Sequence, residues 1–365
     1  MRNRSVLAAA LLLGLATFHP VGAQPGPTPA PVDATARRAV VAELSRQLQT
    51  SYVFPEVARA VATSLKTKEA RGGYATATDT DAFARALTRD LQTLGKDLHF
   101  QVDYDPEFQP QPEGEVRSAA DLEAERAMVA RRAYGIERVQ RLPGNVGLLE
   151  VRGFGPAEMV GEAMTSAMKL LSGTDALILD LRRNDGGEPA GVAHLLSHFF
   201  AQGDERHLND IYDRPRDSTR HYWTHPGVLP RYTRPVYVLI SPRTISGGEE
   251  CAYDLQTQKR ATLVGETTAG AANPGGPVAL GNGMVAFIPT GRSINPVTRT
   301  NWEHVGVKPD IAAPAAEAQK VAYIAALREL LKTEQNADIR ESLQKHLAGA
   351  EAGKEEKPVY TLPPR

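Results

Sequence analysis

Two short runs constrain this chain more than any other feature: ALILDL at 176–181 and VYVLI at Val236–Ile240. Both are nearly continuous in apolar residues, without the alternation of a half-exposed strand, and each leads into a Gly-containing turn and a helical pattern. Strands of that kind tend to be covered on both faces. Further strand-like runs lie at 99–104, 145–151, 261–264 and 285–288, with helical spacing at 121–133, 156–171, 189–200 and 248–258. Strands alternating with helices predict an α/β core.

Ahead of this core the period changes. Val40, Leu44 and Leu48, then Val57, Val61 and Leu65 after Pro55, then Phe83, Leu87, Leu91 and Leu94 fall at helical spacing. They predict three amphipathic helices, the first capped by Asp33, the third by Asp79 or Asp81, with Pro55 in the first turn of the second. From 314 to 347 the spacing is again helical. The resulting partition is 1–23 signal peptide, 24–32 Pro-rich linker, 33–98 N-terminal helical domain, 99–325 α/β core, and 326–365 C-terminal helix and tail. Arg2 and Arg4 precede an apolar run from 6 to 18, followed by Val21-Gly22-Ala23, which is the pattern of a cleaved export signal. The run is shorter than the ~20 residues of a membrane span, so no stable membrane insertion is expected after cleavage, and the mature chain is periplasmic or secreted. Its sole Cys, Cys251, can form no intramolecular disulfide, which leaves stability to the core.

Charge excludes a class of partner. With 42 Lys+Arg against 43 Asp+Glu, the chain has no basic excess to neutralise phosphates, and nucleic acid is not expected as a ligand.

The strand at Val236–Ile240 is followed by Ser-Pro-Arg-Thr-Ile and then Ser246-Gly247-Gly248-Glu249. A hydroxyl between a buried strand and a helix can attack a carbonyl while N–H groups at the helix start face the oxyanion. Ser246-x-x-Glu249 is equally a capping box, which needs no chemistry. The strand at 176–181 runs into Asn184-Asp185-Gly186-Gly187, where the glycines either aim N–H groups outward or serve only as a βα turn. A nucleophilic Ser246 requires a base, and nine histidines are available. His99 lies at the boundary of the helical region. His194 and His198 lie four apart in a predicted helix, where a metal reading lacks a third ligand at recognisable spacing. His207, His221 and His225 lie in a polar insertion at 202–234, read as a substrate-side flap or a solvated loop, and His304 sits beside Glu303.

In order along the chain stand Asp180-x-Arg182-x-Asn184-x-Gly186-Gly187, Thr244-x-Ser246-Gly247-Gly248-Glu249, a Gly265-Glu266-Thr-Thr-Ala-Gly270 stretch, and Asn301-Trp302-Glu303-x-Val305-Gly306-Val307-x-Pro309-Asp310. Together they resemble the C-terminal processing (tail-specific) serine peptidase family. The resemblance extends over about 34–325 and is closer to the branch of tricorn-like peptidases and proteins similar to interphotoreceptor retinoid-binding protein. It implies a ClpP/crotonase-like core behind a small N-terminal helical domain and a peptide or protein substrate; neither cofactor nor metal is expected. It also implies Ser246 as nucleophile and Gly186 or Gly187 with Gly247 as oxyanion hole. The processing peptidases use a lysine base where this chain has Ala271, so the Ser-Lys mechanism does not carry over. The tricorn-like branch uses His with an orienting Glu, which implies His99 and Glu303, with Asp97 as competing orienter. No PDZ-type insertion is apparent between His99 and Asn145. A non-catalytic apolar-ligand or peptide-binding module on the same fold, or an esterase, is the alternative function.

Overall fold

The three N-terminal periodicities are realised as α1 (Ala34–Ser51), α2 (Pro55–Ala70) and α3 (Thr80–Gly95) in the computed structural model, which describes residues 28–110 and 118–354. The signal segment, part of the linker and the tail beyond 354 lie outside the described residues. Asp33 and Asp79 cap α1 and α3, their side chains accepting from the N–H groups of Ala36 and Ala82. There follow β1 (Gln101–Tyr104), α4 (Ala119–Arg131), β2 (Ile136–Leu142), β3 (Val146–Val151), α5 (Ala157–Leu171), β4 (Ala176–Asp180) and α6 (Pro189–Ser197). Then come β5 (His207–Asp213), β6 (Ser218–Trp223), β7 (Val236–Ile240), α7 (Gly247–Thr257), β8 (Thr262–Gly265), β9 (Gly275–Gly281), β10 (Met284–Pro289) and β11 (Gly291–Ile294). The chain ends in β12 (Ile311–Ala312), α8 (Ala318–Thr333) and α9 (Ala337–Glu351).

These elements form two compact units, neither continuous in sequence. The first takes the chain up to Met128, then His207–Trp223 and Gly270–Gly306. In it, α1 to α3 close over the antiparallel sheet β1-β10-β9, with Gln101 opposite Phe287 and Ala286 opposite Val278. Leu44, Leu48, Val61, Leu65, Phe83 and Leu87 from the helices share one core with Leu280, Met284, Ala286 and Ile288 from the strands. A second antiparallel sheet, β11-β5-β6, belongs to the same unit. The polar insertion is thus largely a hairpin, a structure its alternation did not announce.

The second unit holds the six-stranded sheet β12-β8-β7-β4-β3-β2, parallel except at the β2–β3 pair. Every residue of β3, β4 and β7 is buried, as both-face apolar runs require. Ile178, Leu239 and Val264 pack with Ala318, Ala322, Ala326 and Leu327 of α8 on one face. On the other face a methyl group at Gly147 would meet Leu177 and Leu171, the latter at the end of α5. Adjacent parallel strands β4 and β7 end side by side, Asp180 opposite Leu239, and the turns that follow them carry Gly186, Gly187 and Ser246. The fold is mixed α/β, as expected, with a helical region at its N-terminal end.

Candidate active site

The second unit carries Ser246 and the glycine pair on two stitched turns. Leaving β4, the Leu181 N–H donates to Leu239 O (2.9 Å), and Leu181 O accepts the Thr244 hydroxyl (2.8 Å) from the turn after β7. Asn184 is fully buried between them. Its Nδ2 donates to Val151 O (3.0 Å), its Oδ1 accepts the Gly186 N–H (2.9 Å), and its carbonyl accepts the Ile245 N–H (3.2 Å). The residue that follows, Ser246, has φ 55° and ψ −120°. That combination belongs to the first central position of a type II′ turn, where glycine is the usual occupant. Such conformations cost of order 1–3 kcal/mol and collect at functional positions. The surroundings fix it: the Ser246 N–H donates to Glu249 Oε2 (2.9 Å), and the other carboxylate oxygen of this fully buried Glu accepts the Thr268 hydroxyl (2.5 Å). The Glu249 carboxylate thereby holds a strained backbone in place.

Only glycine fits the facing turn. A Cβ at Gly186 would lie 2.8 Å from Ser246 Cβ, and one at Gly187, where φ is 126°, would lie 2.0 Å from Phe154 O. The two glycines differ in what their N–H groups do. Gly186 donates to Asn184, so its N–H is committed to the turn and not to an oxyanion. The Gly187 and Gly247 N–H groups have no acceptor among the described residues. In the following helix Cys251 is fully buried, and burial raises its thiol pKa well above the ordinary value, with Asp254 and Glu250 adding to the rise; its thiolate is not accessible chemistry.

The first unit gathers the other predicted residues. Asp97 follows Lys96, the left-handed cap of α3, and is fully buried. Its Oδ1 accepts the His99 backbone N–H (3.0 Å), and its Oδ2 accepts Asn273 Nδ2 (2.9 Å) and the Tyr52 hydroxyl (3.3 Å). Burial first, then the charge and hydrogen bond of Asp97 and the charge of Glu303, raise the Tyr52 pKa far beyond its usual value, so the phenol stays a neutral donor. The His99 ring is nearly buried and stacked on Phe287, and its Nδ1 lies 3.6 Å from Asp97 Oδ1, outside hydrogen-bond range.

Glu303 arrives from the loop before β12. Its Oε2 accepts the Ala272 N–H, its own N–H donates to Asn301 Oδ1 (3.0 Å), and the neighbouring Trp302 indole donates to Ala271 O (2.8 Å). Ligand-type atoms of Asp97, His99 and Glu303 all lie within 4.8 Å of one another. His304 is half-exposed, with Nδ1 3.5 Å from Glu303 Oε1. At the position of the family's lysine, Ala271 is fully buried and supplies a backbone acceptor.

Ser246 and the glycine turn thus belong to one unit, and His99, Asp97 and Glu303 to the other. His194 and His198 point at a common Thr165 hydroxyl (3.0 and 3.3 Å), and burial lowers the pKa of both, that of His198 to about 4. His194 lies in α6 and His198 caps its C-terminal end. Sequence reasoning did not single out Asn273, which carries no local signal, or Tyr52 as partners of Asp97.

Among the described residues no helix is long and apolar enough to cross a membrane. Residues 145–313 match the model of peptidase family S41, and residues 34–132 match the N-terminal domain of Peptidase_S41 in eukaryotic IRBP. A chloroplastic carboxyl-terminal-processing peptidase 2 of Arabidopsis thaliana is 29% identical over 192 residues, 48% of this chain, and the match spans 35% of that relative's length. The structure of mature CPAF complexed with lactacystin superposes with TM-score 0.54 at 12% identity, covering 88% of this chain and 99% of that one. The tricorn protease gives TM-score 0.50 at 13% identity over 87% of this chain and 37% of its own. At such identities the structural likeness is one of fold. With two family models aligned in sequence order over the helical region and the α/β core, the chain belongs to peptidase family S41.

Proposed function

We propose that this chain is an exported serine endopeptidase with Ser246 as nucleophile. The observation that carries the reading is the backbone of Ser246, held at φ 55° and ψ −120° at the carboxyl edge of a buried strand, against a glycine turn. A structural cap has no need of that strain, whereas a nucleophile projected from a strand-to-helix turn does. In this reading Ser246 Oγ attacks the scissile carbonyl as His99 takes its proton, and the oxyanion that forms is met by the N–H groups of Gly187 and Gly247. His99 then returns the proton to the leaving amine, and water repeats the cycle on the acyl-enzyme. Glu303 orients the imidazole and stabilises its protonated form. Asp97 serves His99 through the backbone, since its oxygens already accept an N–H, an amide and a phenol. Export rests on the sequence pattern of residues 1–23, and the substrate is a peptide or protein, as family membership implies.

The test is labelling of the mature chain by a fluorophosphonate probe, with the adduct located by mass spectrometry. Ser246 should be labelled in the wild type, and Ser246→Ala and His99→Ala should be silent. Absence of label on a well-folded wild type would reject the peptidase reading in favour of a ligand-binding module, and label on Ser246 with turnover of esters but not peptides would make it an esterase.

A further inference from the structure

The β5–β6 hairpin holds a group of side chains for which peptidase chemistry has no use. In an unbroken strand residues three apart face opposite sides, so His207 and Asp210 would point away from each other. The register is not unbroken: His207 lies opposite Trp223 and Asn209 opposite Tyr222, leaving Leu208 as an extra residue in β5. This bulge flips the parity and turns His207 onto the face of Asp210. Asp210 in turn lies opposite His221, which shares its face with Trp223 two residues on. The outcome is that Asp210 Oδ1 stands 2.6 Å from His207 Nε2 and 2.6 Å from His221 Nδ1, with the ligand atoms of all three within 4.8 Å of one another. The His207 ring is stacked on the Trp223 indole at 4.4 Å and 6°, which fixes its orientation, and Asp210 is nearly buried.

We propose that His207, Asp210 and His221 form a binding site for a divalent transition-metal ion of the Zn²⁺ type. Two imidazole nitrogens and a carboxylate oxygen are a donor set such ions take at about 2.0–2.2 Å, with the donors then roughly 3.4 Å apart around a tetrahedral centre. Reaching that spacing from 2.6 Å requires sub-ångström swings of the rings. His221 has the room, because its side chain is 58% exposed on the outer strand of the sheet. The exposed side is also the entry path and leaves a fourth position for water. The ion would join β6, whose residues are largely exposed, to the buried β5. The second three-ligand group among the described residues, Asp97, His99 and Glu303, is assigned to catalysis above, and the hairpin site stands independently of that reading.

The experiment is equilibrium dialysis of the full mature chain, without an affinity tag and stripped with chelator, against micromolar ZnCl₂, with Co²⁺ absorption as a second probe. The wild type and His99→Ala should each retain one equivalent, and Zn²⁺ should raise their melting temperature by a few degrees. Asp210→Asn and His221→Ala should bind at least about tenfold more weakly and show no thermal shift on adding Zn²⁺, with the metal-free melting temperature of His221→Ala matching the metal-free wild type. His221 is exposed, so its loss should not prevent folding. No uptake by the wild type, equal uptake by His221→Ala, or uptake abolished by His99→Ala alone would each overturn the proposal.

Discussion

Replacing Ser246 by glycine should give an inactive protein that is more stable than the one made by replacing it with alanine. Both variants lack the hydroxyl and keep the backbone N–H that donates to Glu249. They differ only in Cβ. At φ 55° and ψ −120° a Cβ-bearing residue sits where glycine rests without strain, and that strain is of order 1–3 kcal/mol. Glycine loses about 0.4–1 kcal/mol of this gain through the greater freedom of its unfolded chain. The difference is roughly 1 kcal/mol in favour of glycine, about 2–4 °C in melting temperature for domains of roughly 150–250 residues. Ser246→Ala itself should melt within a few degrees of wild type. Calorimetry on the three proteins, with the fluorophosphonate probe as the activity readout, supplies the comparison. A glycine variant that melts at or below the alanine variant would refute the claim that this backbone is strained.

Asp97 and Glu303 should separate by the kind of damage their loss does. Glu303→Gln should lower kcat by about 10²–10⁴-fold with little change in melting temperature, as expected for a group that orients the base, whereas Asp97→Asn should cost about 2–3 kcal/mol of stability, because the fully buried carboxylate accepts three hydrogen bonds. The reverse pattern in kinetics and urea denaturation would exchange their roles. Acid should weaken the fold through His198. Burial lowers its pKa from 6.5 to about 4 against the opposing hydrogen bond to Pro230 O, so below pH 6.5 the unfolded chain binds a proton that the folded chain does not. This contribution is complete above pH 6.5 and is lost as pH falls toward 4, by up to about 3 kcal/mol. Urea midpoints at several pH values should show a flatter slope in His198→Gln, and an equally steep loss there would assign the effect to other groups.

What could be read from the sequence follows from where its constraints are local. Leu177 to Leu179 and Val236 to Ile240 announce strands covered on both sides because burial on two faces removes every polar alternative. The N-terminal helices are legible because Leu44, Leu48, Leu87 and Leu91 recur at the helical period and pack inward. The β5–β6 hairpin was not, because Ser218, Thr219, Arg220 and His221 are all exposed and β6 forms on the backbone of β5 rather than on an apolar face. Likewise β9 has Gly and Pro where a strand would be recognised, and it exists because β10 supplies its partners. At the site, the strand-turn-helix context of Ser246 was visible and its positive φ was not. A spacing of two residues could not tell whether Asp97 holds the ring of His99 or its backbone, since Tyr52 and Asn273 reach it from distant parts of the chain.

The interleaving of the first unit also dictates when it can come into being. The helices α1 to α3 share their core with Leu280, Met284, Ala286 and Ile288, which follow the end of α3 by roughly 190 residues. At about 5–20 residues per second of synthesis, the apolar faces of those helices wait roughly 10–40 s for their partners. A nascent chain ending anywhere before residue 280 therefore lacks the strand side chains that complete this core. Its earliest stable intermediate should instead nucleate around the parallel strands β3, β4 and β7, whose pairings close over shorter stretches of chain.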